Sequence, residues 1–301
     1  MQDNLHKPVH AVGVDVGGSH LCSAVIDLTA GTLCTSPITT PVDSHAGALE
    51  IVSAWASNVR STMESFGGKI GAVGFAFPGP FDYERGISLI EGVSKYESVF
   101  GLKVRESMLP LLPAGNSEMR FVNDASAFAL GEALCGAARE DDRVVAITLG
   151  TGVGSGFVAD GKLVTDSPEV PANGWVYCLP FENGIVDDAF STRWIVNRYR
   201  ELTGETVSGA KDVADRFNDN LSAKQVFREY GSRLGEFLAP VLARFRSSSV
   251  VLGGNISRAF PLFSAELGDA LESRGITAKV RTSLLMDNAA MIGAASLFIK
   301  Y

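Results

Sequence analysis

Two apolar hairpins that carry glycine clusters constrain the fold of this chain more than any other feature. The first covers residues 10–26 and turns at Gly17-Gly18, a pair that can adopt positive φ. The second covers Val144–Val164, with Asp160-Gly161 as its tight turn. Segments with helical periodicity and short apolar strands alternate through the rest of each half, as in βαβ units. We therefore predict an α/β fold of two domains with a cleft between them.

The length of the chain agrees with two domains, since 301 residues suffice for about two. We place the boundary near Pro113–Glu118, which gives an amino-terminal domain over 1–115 and a carboxy-terminal domain over 116–287. The last helix, 288–301, is expected to pack back on the amino-terminal domain.

Net charge, hydropathy and cysteine spacing argue against nucleic-acid and membrane partners and indicate a cellular compartment. Lys and Arg number 26 against 34 Asp and Glu, and the net charge of −8 disfavours nucleic acid and anionic membranes as partners. The longest uncharged stretch, Val144–Ala159, is shorter than the roughly 18 residues of a membrane span. The 4 cysteines show no CxxC spacing and no apolar leader precedes them, so we expect a cytoplasmic protein.

Asp15 interrupts an otherwise apolar strand directly before the first glycine turn. Burial of a lone carboxylate is costly unless it meets a cation or strong hydrogen-bond donors. One interpretation is an edge-strand aspartate that binds the turn amides. The other is a carboxylate that holds a hydrated metal ion beside phosphates, with Gly17, Gly18 and Ser19 supplying close backbone approach and amide donors. We favour the second interpretation.

Glycines recur at two further strand ends, in Gly150–Gly156 and in Gly253-Gly254 before Asn255. Alternate glycines weaken a strand by roughly 0.5–1 kcal/mol each relative to alanine, so their presence needs a reason. A bulged, tightly packed sheet is one reason, and close approach of a ligand to the backbone is the other. Because α/β sheets bind ligands at strand ends, three glycine turns at such ends favour a ligand.

Asn123 and Asp124 join a short strand to a helix predicted over Ala125–Ala138. Both are preferred helix-capping residues, so a plain cap is one interpretation. A carboxylate here could instead accept the proton of a substrate hydroxyl that attacks a γ-phosphate. An aspartate near its ordinary pKa is a weak base for an alcohol, so positioning would matter more than basicity.

Taken together, these segments resemble one known family. The chain resembles the ROK family of sugar kinases, within the actin-like and hexokinase-like ATPases, in DVGGSH at 15–20, FPGP at 77–80, ND at 123–124, LGTGVGSGFVADGKL at 149–163 and LGGN at 252–255. The resemblance implies two actin/hexokinase-like (ribonuclease H-like) α/β domains. It also implies transfer of a phosphoryl group from Mg·ATP to a hydroxyl of a hexose or N-acetylhexosamine.

The resemblance also implies roles for individual residues. Asp124 is expected to be the catalytic base, with Gly79, Asn123 and Asp187 near the sugar. Asp15 is expected to hold Mg²⁺ through water. The implied ATP-binding residues are Asp15, Gly17, Gly18, Ser19, Gly150, Thr151, Gly152 and, against adenosine, Gly253, Gly254 and Asn255. A homodimer is expected because members of the family are often dimeric.

Residues 168–190 depart from the family pattern. Typical members carry a Glu-x-Gly-His segment followed by a cysteine-rich zinc-binding stretch, whereas this region has no histidine and only Cys178. Structural zinc normally takes four nitrogen or sulfur ligands, so we predict no structural zinc. Asp187 is expected to replace the family's glutamate near the sugar.

Other activities remain open at the level of the sequence. A sugar- or nucleotide-binding regulator that has lost turnover is favoured by the altered segment and opposed by the presence of Asp15 and Asp124. A kinase that forms acyl phosphates would need a carboxylate-binding arginine that the sequence does not place. A DNA-binding repressor is disfavoured, because the first strand starts near His10 and the chain is acidic.

Overall fold

The computed structural model describes residues 9–93, 95–113 and 118–299. The chain divides into two compact units, one of Met1–Cys135 with Asp287–Tyr301 and the other of Gly136–Met286. The boundary expected near Pro113–Glu118 falls partly on residues 114–117, which lie outside the described residues. The two compact units divide after Cys135, the last helix falls in the first unit, and the predicted domain bounds stay a prediction.

The described residues form strands and helices with the following bounds. The strands are β1 (His10–Val16), β2 (His20–Asp27), β3 (Thr32–Leu33), β4 (Ile38–Pro41), β5 (Ala72–Phe77), β6 (Phe81–Asp82), β7 (Ile87–Ser88), β8 (Glu118–Asn123), β9 (Arg143–Leu149), β10 (Val153–Ala159), β11 (Lys162–Leu163), β12 (Pro180–Phe181), β13 (Gly184–Ile185), β14 (Ser249–Gly253) and β15 (Lys279–Thr282). The helices are α1 (Ala48–Phe66), α2 (Val104–Met108), α3 (Asp124–Cys135), α4 (Val186–Phe190), α5 (Thr192–Thr203), α6 (Ala210–Asp215), α7 (Leu221–Phe245), α8 (Ser264–Glu272) and α9 (Ala289–Ser296). Within the described ranges, none of these helices is both long enough and apolar enough to cross a bilayer.

The main sheet of the first unit has the order β3-β2-β1-β5-β8, and β4 pairs with β2. The predicted first hairpin is confirmed, since β1 and β2 pair antiparallel from His10 with Asp27 to Val16 with Leu21. Strands β1, β5 and β8 run parallel to one another. Because parallel strands end at the same edge of a sheet, Asp15 and Asn123 come to one edge.

Apolar residues at helical spacing predict a helix over Ala46–Phe66, and α1 confirms it. It buries one face, including Ile51, Trp55 and Val59, and its cap residue Gly67 has a φ of 70°. The Trp55 ring packs edge-on against Phe77 with centroids 5.1 Å apart. This packing fixes the end of β5, next to the polar edge of the sheet.

Helix α9 lies against β1, β5 and α3, and four glycines of this contact form what we call the glycine seam (Gly13, Gly74, Gly131 and Gly293). A Cβ added at Gly13 or Gly74 would lie 2.0 Å from a backbone oxygen of α9. One added at Gly131 would lie 2.1 Å from the oxygen of Ala289, and one at Gly293 would lie 1.8 Å from the oxygen of Ala127. The two backbones can approach this closely only where no side chain intervenes.

The sheet of the second unit has the order β11-β10-β9-β14-β15. The second predicted hairpin forms, with β9 and β10 antiparallel, but it turns at residues 150–152. The prediction of Asp160-Gly161 as its tight turn was wrong in that respect, because those residues, with φ of 49° and 73°, join β10 to β11 instead. Each unit is thus a mixed α/β structure, which confirms the predicted fold class.

Candidate active site

Two carboxylates of the first unit, Asp124 and Asp287, act electrostatically on a third, Asp15. Burial, followed by the negative charges of Asp124 and Asp287, raises the pKa of Asp15 to about 7 from its ordinary value of 3.8. Asp15 lies near the end of β1, in register with Ala76 of β5. A divalent cation held by oxygen ligands would relieve this repulsion, so the donor set suits Mg²⁺.

Asn123 takes the capping role considered for this pair, and Asp124 lies beside it at the start of α3. The Asn123 side-chain oxygen accepts hydrogen bonds from the amides of Ala125 and Ser126, at 3.1 and 3.2 Å, and so caps α3. Asp124 Oδ1 accepts one from the Ala125 amide at 2.8 Å. Burial raises the pKa of Asp124, although the Ala125 amide and the charge of Lys95 oppose the shift. A raised pKa makes Asp124 a better base than an ordinary aspartate.

Lys95 is a site residue that no sequence motif indicated. A Cβ added at Gly18 would lie 3.7 Å from Lys95 Nζ, and the charge of Lys95 acts on Asp124. The next residue, Tyr96, is fully buried and fixes this segment. Its amide donates to the Ser44 oxygen at 2.7 Å, and its hydroxyl donates to the Gly17 oxygen at 2.6 Å. Lys95 therefore places a cation between the first glycine turn and the candidate base.

The first glycine turn is tight without positive φ, which differs from the prediction. The Gly17 amide donates to the His20 oxygen at 2.9 Å, and a Cβ on Gly17 would lie 3.0 Å from that same oxygen. Ser19 is exposed, and its hydroxyl lies 3.2 Å from His20 Nδ1. Close approach of backbone atoms thus explains Gly17.

Tyr83 connects two residues predicted near the sugar, Gly79 and Asn123. Its hydroxyl accepts a hydrogen bond from Asn123 Nδ2 at 3.2 Å and donates to the Phe77 oxygen at 3.2 Å. A Cβ on Gly79 would lie 3.3 Å from that hydroxyl. The first unit therefore brings Asp15, Gly79, Asn123 and Asp124 to one sheet edge, and Tyr83 is an addition that sequence reasoning missed.

Asp187 lies against the glycine turn of the second unit. Its Oδ1 accepts a hydrogen bond from the Val153 amide at 2.7 Å, and its Oδ2 accepts one from Arg193 at 2.9 Å. A Cβ on Gly152 would lie 2.9 Å from Asp187 Oδ1. Both carboxylate oxygens of Asp187 are thus engaged, one by the Val153 amide after the glycine turn and one by Arg193. The predicted contact of Asp187 with a sugar stays a prediction.

The turn itself and the third glycine pair are held by further hydrogen bonds. The Gly150 oxygen accepts hydrogen bonds from the amide and the hydroxyl of Thr192, at 2.8 and 3.0 Å. Gly254 has a φ of 78°, and a Cβ there would lie 2.3 Å from the Leu149 oxygen. Strands β9 and β14 are parallel neighbours, so the second unit brings residues 150–152 and 253–255 together. Thr151 is exposed on this turn.

Comparison with known proteins agrees with the geometry. The model of the ROK family matches residues 11–301. This chain belongs to the ROK family. The resemblance inferred from the five sequence segments is thereby confirmed, and it extends across both units of this ROK protein.

Named relatives of this ROK protein include sugar kinases. It is 27% identical over 311 residues to N-acetyl-D-glucosamine kinase of Haemophilus influenzae, covering 95% of this chain and 98% of that protein. It is 26% identical over 314 residues to glucokinase of Thermotoga maritima, covering 95% and 96%. The structure matches a ROK hexokinase from Thermus thermophilus with a TM-score of 0.82 and 23% identity, covering 95% of this chain and 97% of that chain. The last comparison shows that the fold is shared.

Proposed function

We propose that this ROK protein transfers the γ-phosphoryl group of ATP to a hydroxyl of a hexose or N-acetylhexosamine. One observation carries the proposal: Asp15 and Asp124 meet at the carboxyl edge of parallel strands, with the cation of Lys95 beside them. The named relatives, an N-acetyl-D-glucosamine kinase and a glucokinase, support the class of acceptor.

In the first unit, Asp124 accepts the proton of the attacking hydroxyl. Its carboxylate is oriented by the Ala125 amide, and Asn123 and Gly79 flank it as sugar contacts. Lys95 offsets negative charge that develops during transfer. Asp15 would hold Mg²⁺ through water, and the bound ion would neutralise phosphate charge. Phosphoryl transfer depends mainly on such positioning and electrostatic stabilisation.

In the second unit, the proposal assigns the glycine turns to the nucleotide. The turn at residues 150–152 offers backbone amides to phosphates, and Thr192 and Asp187 hold it in place. The turn at residues 253–255 contacts adenosine. Because a Cβ added at Gly254 would lie 2.3 Å from the Leu149 oxygen, a side chain there would displace the backbone that we propose receives the ligand.

The test is a panel of sugars with ADP detection, run on the wild-type protein and on Asp124→Asn. We expect Mg²⁺-dependent ADP release with at least one hexose or N-acetylhexosamine. Asp124→Asn is expected to lower kcat by roughly 10²–10⁴-fold, the range for loss of a general base, while calorimetry finds ATP binding retained. Asp219→Asn, an exposed aspartate of the second unit, serves as the matched control.

Two outcomes would count against this activity. If no sugar raises ADP release above the ATPase background, the protein is not a sugar kinase of this kind. If sugar binds saturably but Mg·ATP yields no product, the regulator of the same fold is the better interpretation.

We also propose a cellular compartment and an oligomeric state for the protein. The proposal places the protein in the cytoplasm, without a nucleic-acid partner, and the four unpaired cysteines agree with a reducing compartment. It also includes a homodimer, which sedimentation at several protein concentrations would test.

A further inference from the structure

A second group of metal-ligating side chains lies in the first unit, at the amino end of β1. His10 begins β1, Asp27 ends β2, and Cys34 directly follows β3. One ligand atom from each of the three, a ring nitrogen, a carboxylate oxygen and a sulfur, lies within 4.8 Å of the other two. The residues are 10, 27 and 34 in the chain, so no spacing motif marks them.

Backbone pairing brings the three residues together. His10 is in register with Asp27, and the Leu28 amide donates to the Val9 oxygen at 2.8 Å. The Cys34 amide donates to the Val25 oxygen at 2.7 Å. The three ligand-bearing positions are therefore fixed by the sheet, not by a flexible loop alone.

Hydrogen bonds orient the Asp27 side chain, and ring packing orients the His10 side chain. Asp27 Oδ1 accepts hydrogen bonds from the amides of Thr29 and Ala30, at 2.7 and 3.0 Å. The His10 ring packs against the Phe66 ring with centroids 4.8 Å apart. Cys34 is exposed, so its sulfur can move to complete a coordination sphere.

We propose that His10, Asp27 and Cys34 bind one Zn²⁺ ion, with water as the fourth ligand. Nitrogen, oxygen and sulfur donors at about 2.0–2.3 Å are the zinc set, and tetrahedral geometry places such donors about 3.3–3.7 Å apart. Closing the cluster therefore needs movements of about 1 Å or less. On binding, the S–H bond of Cys34 breaks, a sulfur–zinc bond forms, and the proton passes to solvent.

The ion would join three segments of the chain at one end of the sheet. Because metal that binds the folded form alone stabilises it, Zn²⁺ should raise the unfolding temperature of the protein. The site is separate from residues 168–190, and zinc bound to it would contradict the prediction from the sequence that the protein has no structural zinc. It is also independent of the proposed kinase activity, so either proposal can fail without the other.

The test is a titration of the metal-free protein with Co²⁺ and then Zn²⁺, with excess Mg²⁺ present to occupy the carboxylates around Asp15. We expect one equivalent of Co²⁺ with thiolate-to-cobalt absorption, displaced by Zn²⁺. Cys34→Ser should abolish that absorption and weaken Zn²⁺ binding at least 10-fold, whereas Cys178→Ser, which alters an exposed cysteine of the second unit, should leave both unchanged. Zn²⁺ should raise Tm in wild type and in Cys178→Ser only.

A second readout covers the case in which Cys34→Ser folds poorly. In the wild-type protein, Zn²⁺ should slow modification of one thiol by a disulfide reagent, and peptide mapping should identify it as Cys34. His10→Asn should lose that protection. Equal zinc affinity in wild type and Cys34→Ser, or protection of a different cysteine, would overturn the proposal.

Discussion

Lys95 illustrates how a residue without any motif becomes part of a site. Its neighbour Tyr96 is anchored to Gly17 and Ser44, and this anchoring carries the lysine to the first glycine turn. The segment around it is irregular, and a lone lysine between Ser94 and Tyr96 has no periodicity to distinguish it. Its position became evident only from the contacts that Tyr96 makes over a long sequence separation.

Replacement of Lys95 by methionine keeps most of the side-chain volume and removes the charge. Because a cation beside the reacting oxygens stabilises the transition state, we expect Lys95→Met to lower kcat by roughly 10²-fold. Steady-state kinetics with the best sugar of the panel measures this. Lys103→Met, at an exposed lysine paired with Glu106, is the control and should stay within twofold. A kcat for Lys95→Met as high as that of the control would remove Lys95 from the site.

Asp15 is expected to lower the free energy of unfolding of the metal-free protein, although the proposed kinase activity needs it. Its pKa of about 7 in the folded protein lies above its ordinary value of 3.8, so the metal-free wild-type protein loses stability as pH rises through this window. Asparagine carries no charge. We therefore expect the stability advantage of Asp15→Asn to be about 4 kcal/mol greater at pH 8 than at pH 4.

Urea unfolding of both proteins at the two pH values, without divalent cations, measures this difference. The variant should also lack Mg²⁺-dependent ADP release, which separates the stabilising effect from any gain of function. An unchanged difference in unfolding free energy between pH 4 and pH 8 would show that the Asp15 charge is not destabilising.

At the scale of elements, the glycine seam sets how α9 meets the sheet. Gly74→Ala would place a Cβ 2.0 Å from the Ala294 backbone oxygen, so the helix must move away from β5. Overpacking of this kind costs about 3 kcal/mol, and we expect that loss in the free energy of unfolding. Denaturant titration followed by circular dichroism measures it.

Gly47→Ala is the matched control, since Gly47 has a φ of −67° and no atom within 4 Å of an added Cβ. It should change the unfolding free energy by less than about 1 kcal/mol. A Gly74→Ala protein as stable as this control would show that α9 adjusts freely and that the seam does not constrain it.

Local sequence patterns predicted the hairpins and helices well, but they predicted the tertiary contacts between these elements poorly. Both hairpins and α1 were predictable, because turn glycines and the helical period act over a few residues. The turn of the second hairpin was misplaced because Asp160-Gly161 has the stronger turn chemistry, while the turn at residues 150–152 is held from elsewhere by Asp187 and Thr192. Such tertiary support leaves no trace in the neighbouring sequence.

The same limit applies to the candidate site. Asp15 and Asp124 were predictable, since a charge in an apolar strand and a polar strand end are conspicuous. Tyr83 and Asp287 were not, because their relation to these residues arises only through packing of segments far apart in the chain. The unusual abundance of glycine was visible at once, but part of it serves the seam and not a ligand.

At the scale of the whole molecule, the first unit is built from both ends of the chain and the second unit is inserted between them. Residues 136–286 can form their own sheet and core before α9 is made. The first unit has to retain β1, β5 and α3 without the helix that packs on them.

Because of this arrangement, the inserted unit is synthesised after β1 and β5 but before the helix that covers them. At roughly 5–20 residues per second, synthesis of the inserted unit leaves the glycine-lined faces of β1 and β5 uncovered for on the order of ten seconds. A chain interrupted before Ala289 would display Asp15 on an unsupported strand, open to chaperones and proteases. The strand that bears Asp15 is thus covered only by a helix that is synthesised after the whole inserted unit.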